Sequence, residues 1–216
     1  MIRLTFVTLI VLQLFLSSAV FAGEAGPYLG LNAGANLMAR DTENDNPSGS
    51  FNLGFQPGYQ GSMTLGYRLA PGSTLGKGRV ELEVGYRQNK IDKIAFSDGE
   101  SSAAGKATVW DIMLNTFGEY SNGTRWTPYA GVGIGAAIVS LKGVEVAGLP
   151  VVDDDDLVFA YQLGVGVGYS LSKAVELDLG YRFFGTTNPG LKDANGASFD
   201  SEYLAHNFQL GIRVIY

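Results

Sequence analysis

Apolar and polar residues alternate with a period of two along most of this chain, and that rhythm restricts the fold more than any single residue does. Between Gly58 and Leu69, Tyr59, Met63, Leu65, Tyr67 and Leu69 share one face, with Gly61 as a gap, while Gln60, Ser62, Thr64, Gly66 and Arg68 share the other. Between Arg79 and Asn89, Val80, Leu82, Val84 and Tyr86 alternate with Arg79, Glu81, Glu83, Gly85 and Arg87. A period of two belongs to a strand whose faces meet unlike surroundings. Six more segments follow the rule, namely 28–37, 108–120, 128–141, 157–171, 174–184 and 203–216, the first being the least regular. Eight strands are therefore predicted.

The breaks agree with this map. Pro27, Pro57 and Pro128 stand at strand starts, and Pro47, Pro71, Pro150 and Pro189 stand between strands, so none removes a ladder hydrogen bond from a strand interior. Connections alternate in length. Residues 38–56, 90–106, 142–156 and 185–202 are long and polar, whereas 70–78, 121–126 and 172–173 are short. Long loops on one side and short turns on the other suit an all-β, eight-stranded antiparallel up-and-down transmembrane β-barrel in a bacterial outer membrane.

A soluble barrel also alternates, but it turns apolar groups inward. Here the apolar face is too bulky for the space that eight strands enclose, and the other face is rich in glycine and small polar residues. All seven lysines (Lys77, Lys90, Lys93, Lys106, Lys142, Lys173 and Lys192) fall in predicted loops or turns, as they must if the strands' outer face meets lipid. Threading the chain up and down puts Tyr67, Tyr120, Tyr169 and Tyr216 near one rim. The same threading puts Tyr59, Tyr86, Trp110, Tyr161, Tyr181 and Phe208 toward the other, as two interfacial girdles. The inward phase then carries Arg68, Arg79, Arg87, Arg182 and Arg213 with Glu81, Glu83, Asp111, Glu119, Glu176 and Asp178. Buried charges persist only when paired and hydrogen-bonded, so a salt-bridge network that plugs the lumen is expected. An ion channel lined by the same charges is the alternative.

Residues 1–22 read as a secretory signal: Arg3, an apolar run from Leu4 to Leu16, and a small-residue stretch ending in Val20 and Ala22. Residues 23–216 would form the barrel. No later stretch is a long uninterrupted apolar run, which excludes a helical membrane protein. The absence of cysteine excludes disulfides and thiolate metal sites, and the single histidine excludes a multi-histidine site. A formal net charge of -6 argues against a nucleic-acid partner. Gly131, Gly133 and Gly135, like Gly164, Gly166 and Gly168, mimic a phosphate loop but recur at period two inside strands, so they read as small lumen positions. His206 has Phe208, not serine, two residues on and a lipid-facing phase, so it reads as a rim histidine rather than a catalytic base. Asp153, Asp154, Asp155 and Asp156 read as a solvated loop, since the rest of a calcium-loop spacing is missing. No cofactor, metal or catalytic residue is expected.

The segment Thr127-Pro128-Tyr129-Ala130-Gly131-Val132-Gly133-Ile134-Gly135 resembles the fifth strand of the opacity-type outer-membrane β-barrel family. Ala160-Tyr161-Gln162-Leu163-Gly164-Val165-Gly166 is similar to its sixth strand, and Glu176-Leu177-Asp178-Leu179-Gly180-Tyr181-Arg182 to its seventh. Leu210-Gly211-Ile212-Arg213-Val214-Ile215-Tyr216 is similar to its closing strand. The resemblance implies that Phe208, Leu210, Ile212, Val214 and Tyr216 form a C-terminal signal for the outer-membrane assembly machinery. It also implies a non-enzymatic surface protein, serving adhesion or envelope integrity through four external loops. Small porins and lipid-modifying enzymes of the outer membrane are the other functions to weigh. Expected partners are outer-membrane lipid and lipopolysaccharide, the assembly machinery and a host-surface ligand at the loops.

Overall fold

The computed structural model describes residues 25–39, 42–44, 50–70, 77–96, 99–120 and 123–216; the expected signal, 1–22, lies outside them. The described residues form β1 (Gly26–Met38), β2 (Thr42–Asn44), β3 (Phe51–Phe55), β4 (Gly58–Arg68), β5 (Gly78–Phe96) and β6 (Gly99–Glu119). They continue as β7 (Trp126–Val146), β8 (Leu149–Ser170), β9 (Val175–Thr186), β10 (Gly190–Lys192), β11 (Ser198–Asp200) and β12 (Leu204–Ile215).

Eight of these strands close a ring. β5, β4, β1, β12, β9, β8, β7 and β6 are neighbours in that order, and β6 returns to β5. The seam between first and last strand runs from Tyr28 opposite Ile215 to Met38 opposite Ala205. Closure matters in hydrocarbon, where no water can take an unpaired peptide group. Each of the eight sequence segments corresponds to one ring strand, including the irregular 28–37 in β1.

The outward phase is apolar around the ring. Leu65, Leu114, Ile134 and Leu163 are each more than half exposed on the outer surface. Tyr59, Tyr86 and Trp110 meet in sequence at one end, with ring centroids 6.2 and 4.8 Å apart, and Tyr181 meets Phe208 at 5.3 Å. At the other end Trp126 packs on Tyr169 at 4.6 Å. Ten residues separate Trp110 from Tyr120, which at about 3.3 Å per residue and a tilt of about 40° is roughly 25 Å, the height of a lipid-facing band.

Beyond the outer girdle the strands continue, contrary to the sequence reading. Within 90–106 and 142–156, expected as open polar loops, residues 90–96, 99–106 and 142–156 are the upper parts of two long hairpins that stay paired to Phe96 opposite Gly99 and Val146 opposite Leu149. Residues 38–56 contribute β2 and β3, with β3 paired to upper β5, and 185–202 contribute the β10–β11 hairpin. Two physical causes hid these strands. Register shifts between Ile91 and Lys93, Ala104 and Lys106, and Leu141 and Val144 break the period. The water-facing residues also look like loop residues. The lysines follow the same correction: Lys90 and Lys93 are in β5, Lys106 in β6, Lys142 in β7 and Lys192 in β10.

The upper strands enclose an apolar core. Leu53, Ile91, Ile94, Val109, Val139, Leu141, Val144 and Phe184 are buried there. The β10–β11 hairpin adds buried Leu191 and Phe199, and Phe199 meets Phe51 edge-on at 5.3 Å.

Candidate functional site

The lower lumen, at the level of the lipid band, is built from the inward phase of the ring. Arg79, Glu81, Glu83, Arg87, Asp111, Glu119, Glu176, Asp178, Arg182 and Arg213 are buried, and Arg68 is half-buried at the inner rim. Seven of the eleven form one chain. Glu81 meets Arg79 at 2.5 Å, Arg79 meets Glu119 at 2.6 Å, and Arg68 joins Glu119 at 3.3 Å and Glu176 at 2.9 Å. Arg213 pairs with both Glu176 and Asp178. Two phenols cap the chain: Tyr28 donates to Glu81 at 2.5 Å and Tyr129 donates to Asp178 at 2.9 Å. A desolvated pair is kept only with such extra hydrogen bonds.

The other four charges stand apart. Arg87 pairs with Asp111 higher up. Glu83 accepts a hydrogen bond from Gln162 at 3.4 Å, and Gln162 also donates to Asn115 at 2.6 Å. Arg182 and Glu83 have no ion-pair partner within 4 Å among the described residues. Arg182 instead lies over the Phe117 ring, 4.4 Å from its centroid, with Nε and Nη1 unbonded. Sequence reasoning expected the five arginines to share the six acids and so missed this one.

It also missed the aromatic lining. Tyr28, Phe117 and Tyr129 point inward, and the Arg79 guanidinium sits 4.5 Å from Phe117 and 4.1 Å from Tyr129. The signal was available, since Phe117 shares the phase of Asp111, Asn115 and Glu119. The period-two glycines of β8 are the sockets for these large groups. A Cβ at Gly164 would come within 2.6 Å of Arg182, at Gly166 within 2.3 Å of Tyr129, and at Gly168 within 2.3 Å of Glu176. A cavity among these charges, bounded by Tyr28, Thr64, Arg79, Glu81, Asp178 and Arg213, is about 10 Å³, the room of a single water.

Higher in the ring, Asn36, Asn89 and Tyr203 form a buried polar cluster beside the apolar core. Asn36 donates to Asn89 at 2.6 Å and to the Tyr203 hydroxyl at 2.9 Å, and Asn89 donates to the carbonyls of Asn36 and Gln56. Burial pushes the Tyr203 phenol up to about 12. Above it, the acidic run is not a solvated loop. Asp153 and Asp155 face out toward Lys142, at 3.5 and 3.1 Å. Asp154 and Asp156 accept the backbone amides of Lys192 and Gly190, each at 2.9 Å, and so fasten β10 to β8. Among the described residues no group of His, Asp and Glu could hold a metal ion.

His206 lies at the outer rim beside Phe183, its Nδ1 2.7 Å from the Tyr181 hydroxyl. Of the terminal alternating residues, Phe208, Leu210 and Ile212 are exposed on the outer face, and Val214 and Tyr216 are half-buried.

Comparison with known proteins gives the following. A family described as outer membrane protein beta-barrel domain matches residues 8–214. A Rickettsia conorii protein named as a candidate adhesin is 26% identical over 209 residues, covering 86% of this chain and 80% of its own. A Rickettsia felis protein of the same description is 24% identical over 213 residues, covering 91% and 92%. Among solved structures, neisserial surface protein A aligns with a TM-score of 0.51 at 19% identity, over 90% of this chain and all of its own. The outer membrane protein OprG from Pseudomonas aeruginosa aligns at 0.58 and 13% identity, over 91% and all of its own. At these identities the two structures speak for the fold.

Proposed function

Because the chain belongs to the outer membrane protein β-barrel domain family, and so resides in the bacterial outer membrane, we propose that its work is done by the surface it holds outside the cell. In this reading the barrel is a non-enzymatic anchor and the upper hairpins are an adhesive platform. The observation that carries the reading is the extension of β5 to β8 about ten residues past the girdle over its own apolar core. A membrane anchor has no need of that second core, whereas a rigid scaffold is where recognition residues sit. The hairpin tips present apolar groups to water, Phe96 at 40% and Leu149 at 70% exposure. The rickettsial relatives named as candidate adhesins support the same reading.

The lumen is read as a closed plug, with the eleven charges holding the strands rather than conducting. The cavity of about 10 Å³ supports this. The outward alternation from Phe208 to Tyr216 is read as the handle for the assembly machinery.

Bacteria displaying the full chain are expected to adhere to epithelial monolayers well above the same bacteria without it. Phe96→Asp with Leu149→Asp is expected to remove most of that gain at equal surface display. No gain from the unaltered chain would overturn the reading. In planar bilayers the pure protein is expected to be silent; a steady, large conductance would overturn the plug.

A further inference from the structure

Across β5, β6 and β7 the outward residues line up in register, and each level has its own chemistry. Val84, Ile112 and Ala136 form an apolar row. Tyr86, Trp110 and Ile138 form the girdle row above it. Gln88 and Thr108 form a hydrogen-bonding row, continued in register by the buried Ser140, and Lys90, Lys106 and Lys142 form a cationic row. The last stands four residues above Trp110, about 10 Å along the membrane normal. This sequence of hydrocarbon, ring, amide or hydroxyl, and ammonium is the profile of a lipid from its chains to its phosphate.

The cationic row is a local anomaly. Like charges directly opposite each other destabilise a sheet. Lys142 is neutralised by Asp155 and Asp153, and Lys93, higher on β5, by Glu100 at 3.0 Å. Lys90 and Lys106 are exposed register partners with no carboxylate within 4 Å among the described residues. At this height the outer faces of β8, β9, β12, β1 and β4 carry no lysine or arginine among the described residues. Directly beneath lies an apolar groove of about 230 Å³ between Val84, Trp110, Ile112, Ala136, Ile138 and Leu157, opened by the small side chain of Ala136. A second outer groove, about 360 Å³ beside Val132, Leu163 and Tyr181, lies lower and farther from the lysine row.

We infer that this face seats one phosphorylated lipid of the surrounding leaflet, an acyl chain in the Ala136 groove and a headgroup phosphate between Lys90 and Lys106. The anion removes the repulsion between the two ammoniums, and the groove gives the chain a fixed path that bulk lipid lacks. The site rests on the membrane orientation, not on the adhesive reading, and purified protein tests it without any host cell.

The full chain carrying Trp126→Phe leaves Trp110 as the reporter on the groove. Folded in nonionic detergent, it is titrated with diphosphorylated lipid A, with the same lipid after removal of both phosphates, and with inorganic phosphate. The first is expected to change Trp110 emission saturably. Lys90→Gln and Lys106→Gln are each expected to weaken binding about fivefold, and together roughly 25-fold. The dephosphorylated lipid is expected to bind as weakly as the double variant, and Ala136→Phe to weaken the intact lipid severalfold. Inorganic phosphate alone should leave the emission unchanged. Equal binding of phosphorylated and dephosphorylated lipid, or a double variant as tight as the parent, would overturn the phosphate contact. Saturation by inorganic phosphate together with no effect of Ala136→Phe would overturn the lipid in favour of a free anion site.

Discussion

The lower and upper halves of the same strands are built inside out from each other. In β6, Leu114 faces out and Asn115 and Asp111 face in at the level of the lipid band. A few residues on, Lys106 faces out and Ala107 and Val109 face in. The alternation keeps its phase through this change; what reverses is which chemistry each phase carries. The polarity of a strand face is therefore set by the medium outside it, lipid below and water above. The cohesion differs accordingly. The upper half is held by apolar burial from water, at about 25 cal/mol per Å². The lower half gains little by facing hydrocarbon, so its ladder closure and its interior ion pairs and hydrogen bonds must hold it.

The largest expected effect tests that division at its ionic end. Arg213→Ala would leave Glu176 and Asp178 buried with one cation fewer, a loss of about 3–5 kcal/mol. Arg182→Ala removes a stacked guanidinium that has no ion pair among the described residues, and should cost only about 1–2 kcal/mol. Urea titration of the chain folded into phospholipid vesicles would measure both. Equal losses would mean that the lower half is held by packing and not by charge pairing.

The next test moves one charge along one face of one strand. Leu114→Lys places an ammonium in the lipid band and is expected to cost about 2–4 kcal/mol. Ala104→Lys, on the same outward phase of β6 but above the girdle and opposite Glu145, is expected to be within about 0.5 kcal/mol of the parent. The same vesicle titration reads both, and similar costs would show that the boundary between lipid and water is not at Trp110.

The lower half was legible because its pattern is local and its rules are strict. Leu82 and Leu114 must face lipid, and Glu83 and Asn115 must not, so the eight segments could be read from the period, and their facing from the bulk of the apolar face, the lysine positions and the aromatic girdles. The upper half was not legible, for reasons that lie in particular residues. The register shift after Ile91 moves Ile94 to the inward face, so 90–96 reads as irregular. Lys106 and Lys142 on a water-facing strand look the same as lysines in a loop. Within the site, the acids and arginines could be placed in the lumen, but their partners could not. Pairing depends on which strands are neighbours across the lumen: Arg68 reaches Glu176, 108 residues away, while Arg182 is left to stack on Phe117. The glycines at 164, 166 and 168 were assigned to the lumen; that each receives a particular large side chain from an adjoining strand is a property of register.

The smallest expected effect asks whether the two halves are separable. Asp156 fixes β10 by accepting the Gly190 amide at 2.9 Å, and β10 brings Leu191 into the upper core. Asp156→Ala removes that acceptor at an exposed site, for about 1 kcal/mol. Amide hydrogen exchange at Gly190 and Leu191 should then quicken roughly fivefold, while amides at the level of Leu114 and Leu163 keep their protection. Asp156→Asn retains an oxygen at the same position and should restore most of the slow exchange. If loosening the hairpin also quickened exchange in the lipid band, the apolar cap and the charged lumen would be one cooperative unit, and the contrast between them would be one of composition without independence of folding.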